Sequence, residues 1–523
     1  MIVAALVVTP ASAVPTVPVT SLTAYVKARA ADAEGHVTVA AQGYAMALAA
    51  QPSDPVIAVR ALGQALAAGD LPLARRAGAV LRDADVAPPD LDILAFSDAV
   101  VARDAKGQRA ALDRLAESPL GFLAPLLASW VDLPPPVVTT DLGAIPRRYA
   151  AENAALRLLA TGQTVQGIAA TRALLSTTGG DADFRLNAAQ LLARSDREAA
   201  RALLAGNDPV LARAAETLGR GSKGDARFGV SRLFARMAGD LSAEGTEALA
   251  IMLSRSALLL DPDYSRARIA LADALARDDA VAEARTTLAS IPAGDPFAST
   301  ANALGIVILQ RAGDLSGALA LAREQAVRRD ASTASLRRYG DLLLESNQPA
   351  EAARIYARVL AQAGPDADWT LYLQRGAALD RSGDWAGALP MLRRAVDLAP
   401  QEPAALNYLG YAQVDRGENV AEATRMLERA HALAPKDPAI ADSLGWARFR
   451  AGNLAAALPL IEGAVRQAPD DVEINEHLGD LYWAAGRRVE ARYAWRAAAV
   501  SASGADAARL ATKLANGPAS SHR

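Results

Sequence analysis

Side chains suited to proton transfer or metal binding are scarce in this chain, which has four histidines (His36, His431, His477 and His522) and no cysteine. None of the histidines has a second His or a Cys at the spacing of a ligand pair, and a zinc or transition-metal site needs several such donors converging. His477 stands in INEHLGDLYW beside Glu473, Glu476 and Asp480; a cation site can be drawn there, but a lone His among carboxylates reads first as a polar helix face. There is no G-x-S-x-G elbow and no thiol, so covalent catalysis has no visible nucleophile. Gly219 to Gly224 spell G-x-G-x-x-G, a pattern that lets backbone amides approach a pyrophosphate. It follows the helical segment AARAAETL rather than a strand, so it reads as an interhelix loop. The sequence therefore predicts no catalytic residue, no metal and no cofactor, and any enzyme would have to be assembled from scattered carboxylates.

Charge and composition exclude other classes. The net charge is −3, and only five of the 55 basic residues are Lys, so no basic stripe for nucleic acid is present. Apolar residues make up 51% and aromatics only 5%, which predicts a core of Ala, Leu and Val suited to closely spaced helices. No stretch approaches the roughly 18 uninterrupted apolar residues of a membrane span. Ile2 to Val8 form a short apolar run before Ala11-Ser12-Ala13, the small-x-small pattern of a signal-peptidase site, although no Lys or Arg precedes the run. Export to the periplasm is the expectation, with residues 1–13 as the signal peptide and a cytoplasmic protein as the alternative.

What must position any functional surface is a repeat. Gly376, Gly410, Gly445 and Gly479 lie 34, 35 and 34 residues apart, each followed by an Ala at one place in a second helix: Ala388, Ala423, Ala457 and Ala491. Four residues beyond that Ala comes an apolar residue (Leu392, Leu427, Ile461, Trp495), and seven beyond it a second Ala (Ala395, Ala430, Ala464, Ala498). Three units end on a proline, Pro400, Pro435 and Pro469, which stops a helix because it has no amide hydrogen. This is the helix–turn–helix period of about 34 residues found in tetratricopeptide repeats. The small residues are expected to let the two helices of one unit approach, and the apolar residue and later Ala to pack on the next unit.

Upstream the pattern thins. Tyr356 and Ala352 keep register with Gly340, Ala318 falls one residue late after Gly305, and Leu62-Gly63 and Ala40, Tyr44, Ala47 and Pro52 show the spacing again. Between about 88 and 261 the units are degenerate but still helical by period. Pro134, Pro135 and Pro136, and the segment STTGGDAD at 176–183, are the best places for a bend. The predicted fold is all-α, a right-handed superhelical solenoid of tetratricopeptide-type repeats, degenerate in its N-terminal half. Its divisions would be N-terminal repeats at 14–131, degenerate repeats at 132–261, a C-terminal array at 262–503, and a capping helix with a flexible tail at 504–523. In such an array neighbours bury one another's apolar faces and need no separate globular cores.

First helices of a tetratricopeptide array line its concave side, with the residues three before and one, four and five after the Gly facing the groove. Those positions hold Asn407, Tyr411 and Asp415; Asp442, Trp446, Phe449 and Arg450; and Glu476, Asp480 and Trp483. Aromatics among carboxylates and Arg can grip a protein segment, and Trp and Tyr are enriched where partners bind. The competing reading is that Trp446, Phe449 and Trp483 fill gaps between helices. A clamp for chaperone C-terminal carboxylates is not expected, since Lys436 is the sole Lys of these four units and lies in a turn.

The succession LNYLGYAQVDRGENVAEATRMLERAHALAP, IADSLGWARFRAGNLAAALPLIEGAV and INEHLGDLYWAAGRRVEARYAWRAAA resembles the C-terminal half of a family of exported bacterial tetratricopeptide proteins. Its members include an outer-membrane lipoprotein adaptor that delivers cell-wall hydrolases to a C-terminal processing protease. The likeness covers about 240–503, and DSLGW, EHLGDLYW and GRR carry it more specifically than the general repeat does. It implies a non-enzymatic scaffold recruiting a protein partner such as an envelope protease or cell-wall hydrolase. With no Cys, the adaptor's lipid anchor has no attachment point in this sequence. A cytosolic assembly scaffold and a component of polysaccharide export or secretion are the alternative roles; an enzyme would need a deep polar pocket within 88–261.

Overall fold

A computed structural model describes residues 21–136, 144–178, 181–329 and 331–518. Within them the chain forms 29 α-helices and one short 3-10 turn at Gly364–Asp366, with no strand, so the protein is an all-α helical repeat solenoid. The signal-peptide expectation at 1–13 and the end of the tail lie outside the described residues, as does part of the predicted bend at 176–183. The chain divides into two compact units between Ala318 and Leu319.

In the second unit, helix pairs follow one another: Thr333–Glu345 with Pro349–Ala363, Trp369–Arg381 with Trp385–Leu398, Pro403–Arg416 with Val420–Leu433, Pro438–Arg450 with Leu454–Gln467, and Val472–Ala484 with Arg488–Ser501. A last helix, Gly504–Asn516, follows alone. Acidic caps start many of them. Asp437 accepts from the amides of Ala439 and Ile440 at 2.9 and 3.2 Å, and Asp471 from that of Ile474 at 3.0 Å, satisfying donors that the first turn leaves open.

The repeating Gly works by close approach. A Cβ on Gly376 would stand 2.6 Å from Leu392, on Gly445 2.5 Å from Ile461, and on Gly479 2.3 Å from Trp495. Gly340 meets Tyr356 in the same manner, at 2.8 Å, which carries the pattern one unit further upstream. The apolar residue of each second helix therefore seats on the Gly of its own unit, where the sequence assigned it to the next. It reaches the next unit as well: Leu392 shares a core cluster with Leu409, and Leu427 with Leu444. Gly63, by contrast, faces open space, so the helices Pro55–Ala68 and Leu71–Asp83 pack together without the Gly contact that its spacing suggested.

The first unit departs from a simple array. Arg255, on the helix Glu247–Leu260, donates to the carbonyls of Leu66 and Ala67 at 2.7 and 2.5 Å, at the end of the helix Pro55–Ala68. Thr38 reaches Glu283 at 3.4 Å, and Arg227 reaches the carbonyl of Val101 at 3.3 Å. Nearest-neighbour packing alone was expected; instead helices far apart in sequence close on one another. Burial pulls the Arg255 guanidinium down to about 10, since it leaves water for two uncharged carbonyls at a helix C-terminus, where a cation is favoured.

Candidate functional site

Three successive first helices, Pro403–Arg416, Pro438–Arg450 and Val472–Ala484, border a cleft of about 430 Å³. It brings together Asn407, Tyr411, Asp415 and Asp442 of the sequence-derived set, and adds Asp380, Arg416 and Glu473, which the position rule did not select. Glu473 enters because the Tyr411 hydroxyl donates to its carboxylate across the intervening unit. Burial, then the Glu473 charge, push the Tyr411 hydroxyl well above its usual range, so it stays protonated and acts as a donor. On the other wall Tyr408 donates to Asp380 at 3.2 Å, and Arg416 pairs with that same carboxylate. Asp415 is half exposed, with Arg450 at 3.9 Å as its ion-pair contact.

His477 corrects the polar-face reading. It is buried, its Nδ1 lies 2.8 Å from Asp442, and its ring stacks on Trp446 with centroids 4.1 Å apart. Burial opposes a charge on the ring, but the Asp442 carboxylate outweighs it, and the His477 pKa is raised above 6.5. Below pH 6.5 the folded and unfolded chains both carry the proton and the pair contributes in full. As the pH climbs through the raised folded value that contribution is lost. The second unit should therefore lose stability on going from neutral to mildly alkaline pH, and Asp442→Asn should flatten the slope; urea titrations at pH 6 to 9 measure it, and equal slopes would remove His477 as the cause.

The aromatic positions divide. Trp446 and Phe449, 5.4 Å apart, are half buried in a cluster with Ala457 and Ile461, and the Trp446 indole N–H is buried with no acceptor. They fill space between units, while Arg450 stays exposed. Glu476, Asp480 and Trp483 lie under the last helix. Arg509 grips Glu476 through two bonds of 2.8 and 2.7 Å, and Lys513 lies 2.6 Å from both Glu476 and Asp480. Burial acts against the Glu476 charge, yet these two cations hold its carboxyl down at about 2. Trp483 is sandwiched between Trp495, at 5.4 Å, and the Arg488 guanidinium, at 3.8 Å.

The first unit holds a polar cluster that the sequence did not show. Glu152, Asn153, Asp183, Asn187 and Arg232 are buried, and with Arg236 they surround a cavity of about 20 Å³. That is room for one water and no substrate. The glycine motif forms a loop between Pro209–Thr217 and Ala226–Asp240, as read from the sequence. Its carbonyls at Leu218 and Gly219 accept from Arg197, so carbonyls rather than amides meet a charge there. Among the described residues, no group of three or more His, Cys, Asp or Glu is arranged to hold a metal ion, and no helix is long and apolar enough to cross a membrane.

Sequence comparison supports the repeat class. Two tetratricopeptide repeat models match the chain, one at 241–304 and 381–446 and the other at 307–368 and 443–508. The C-terminal half thus carries tetratricopeptide repeats, a type that generally mediates protein–protein interaction and is typically non-enzymatic. No curated protein matches the chain. Among solved structures, a tetratricopeptide repeat protein from Parabacteroides merdae is similar at 15% identity, over 48% of this chain and 97% of its own, with a TM-score of 0.41. TTC0263, a thermophilic tetratricopeptide protein of Thermus thermophilus, aligns at 20% identity over 35% of this chain and all of its own, with a TM-score of 0.32. MamA from Desulfovibrio magneticus aligns at 21% over 32% and 94%, with a TM-score of 0.28.

Proposed function

We propose that this protein is a non-enzymatic adaptor whose cleft between the first helices of the second unit receives a segment of a protein partner. The observation that carries this reading is the cleft itself, where Asn407, Tyr411, Asp415 and Asp442 from two units converge with Glu473 from a third. The wall residues are positioned by packed helices rather than loops, which lowers the cost of ordering on binding. The apolar motif and the sequence resemblance support export to the periplasm, with an envelope protease or cell-wall hydrolase as the partner to test first.

Ala439 gives a clean test. It is exposed on the cleft wall, so Ala439→Trp fills the space without removing a buried contact. Tagged wild type should capture from an envelope fraction a protein that the Trp variant captures at least about tenfold less, a loss of about 1.4 kcal/mol. Equal capture by two equally folded proteins would move binding away from the cleft, and recovery of the protein in the cytosol alone would overturn export.

A further inference from the structure

We infer that the cleft is a receptor for a basic side chain, an arginine or lysine presented by the partner segment; this rests on the cleft being the partner site. Five carboxylates line it (Asp380, Asp415, Asp442, Asp471 and Glu473) against the single guanidinium of Arg416. Most are already engaged: Asp380 by Arg416 and Tyr408, Asp471 as a helix cap, and Glu473 by the Tyr411 hydroxyl. What remains is acceptor capacity. Asp442 is only 4% exposed, and while its Oδ2 bonds His477, its Oδ1 has no hydrogen-bond partner. The Oδ1 of Asn407, at the equivalent place one unit earlier, is likewise buried without a partner. Asp415 adds a carboxylate held only by a long contact to Arg450.

Buried acceptors without donors favour a ligand rich in N–H groups, and the surrounding charge selects a cation over a neutral amide. The cations already facing the site, Arg416, Arg450 and His477, each stand beside a carboxylate of the cleft or its rim, so they do not reverse its sign.

The chain itself shows this chemistry one unit further on. Glu476 stands three residues before Gly479, as Asp442 does before Gly445 and Asn407 before Gly410, and Asp480 stands where Tyr411 and Trp446 do. At that last unit the carboxylates are met by Arg509 and Lys513 of the helix Gly504–Asn516. The groove positions of the final unit are thus filled in cis by two basic side chains four residues apart on one helix, while the equivalent positions of the two preceding units have acceptors to spare. A partner helix or strand bringing Arg or Lys to the cleft would repeat the arrangement.

The test uses the full chain with fluorescent hexa-arginine and hexa-glutamate peptides, read by anisotropy at low and moderate salt. Hexa-arginine should bind wild type, weaken with salt, and lose about tenfold in affinity with Asp415→Asn/Glu473→Gln, two exposed positions whose amides keep the shape. Asp442→Asn, checked for folding by circular dichroism, should weaken it further. Undiminished binding in the double variant, absence of hexa-arginine binding, or equal binding of hexa-glutamate would each overturn the inference. In those cases a captured partner still lost with Ala439→Trp would leave the cleft reading standing, whereas capture indifferent to that substitution would remove both.

Discussion

Trp495→Ala should destabilise the second unit by about 3–5 kcal/mol, the range for deleting a fully buried large aromatic. The ring is 0% exposed, and its Nε1 donates to Asp480 at 3.1 Å. It covers Gly479 and shares a cluster with Ala491, Ala498 and Leu510, so it joins the last helix pair to the helix Gly504–Asn516. In a stacked array each unit is held mainly by its neighbours, so the damage should appear as fraying from 472 onward before the rest melts. Hydrogen exchange and urea unfolding measure both parts. A further check is coupling: Gly479→Ala clashes with Trp495 in the wild type and should be nearly harmless once that ring is gone. Additive effects of the two substitutions would mean that the Gly–Trp contact is not what sets the helix spacing.

Arg236→Ala should be comparably severe for the first unit, again about 3–5 kcal/mol, because it leaves the buried carboxylate of Glu152 without its nearest cation. Arg236 lies 3.3 Å from Glu152, pairs with Asp181, and sits 3.9 Å from Asp240. Arg148, at 3.7 Å from Glu152, is a weaker substitute. Burial raises the Glu152 pKa even with Arg236 present, so the folded state holds the proton more tightly than the unfolded chain. Such a group favours folding below its unfolded pKa and loses that contribution as the pH rises through the folded one. Removing Arg236 raises the folded value further, so the variant should be least impaired near pH 4 and most impaired at neutral pH. Arg236→Ala combined with Glu152→Gln should recover part of the loss. A single variant within about 1 kcal/mol of wild type at pH 7 would show that water already compensates Glu152 in the small cavity.

The second unit was legible because its signals are local and repeated. Gly445, Ala457 and Ile461 are forced on the sequence by one helix crossing, and the same crossing recurs. The groove rule selected Asn407, Tyr411, Asp415 and Asp442, which line one cleft, since helical period fixes which residues share a face. It could not find Glu473, which sits two first helices away from Tyr411. Nor could it separate Trp446, an aromatic at helical spacing, from a core residue; that distinction depends on His477 stacking against it. Glu476 and Asp480 obey the rule, but Arg509 and Lys513 cover them, and charge pairs between separate helices leave no periodic mark. In the first unit, Arg255 is bound by backbone carbonyls, acceptors that every residue supplies, so no residue type announces the contact.

That closure sets an order of events on the ribosome. The bond from Arg255 to Leu66 spans 189 residues, and at roughly 5–20 residues per second the early helices wait about 10–40 s before their partner emerges. During that interval the end of Pro55–Ala68 has no guanidinium on its carbonyls, and the apolar faces awaiting the helix Glu247–Leu260 stay open to other contacts. The second unit carries no such delay, because each of its helix pairs finds its neighbour within about one repeat of synthesis. Slow maturation and any need for a chaperone should therefore belong to the first unit, and a chain stalled before Arg255 should be protease-sensitive where one stalled inside the second unit is not.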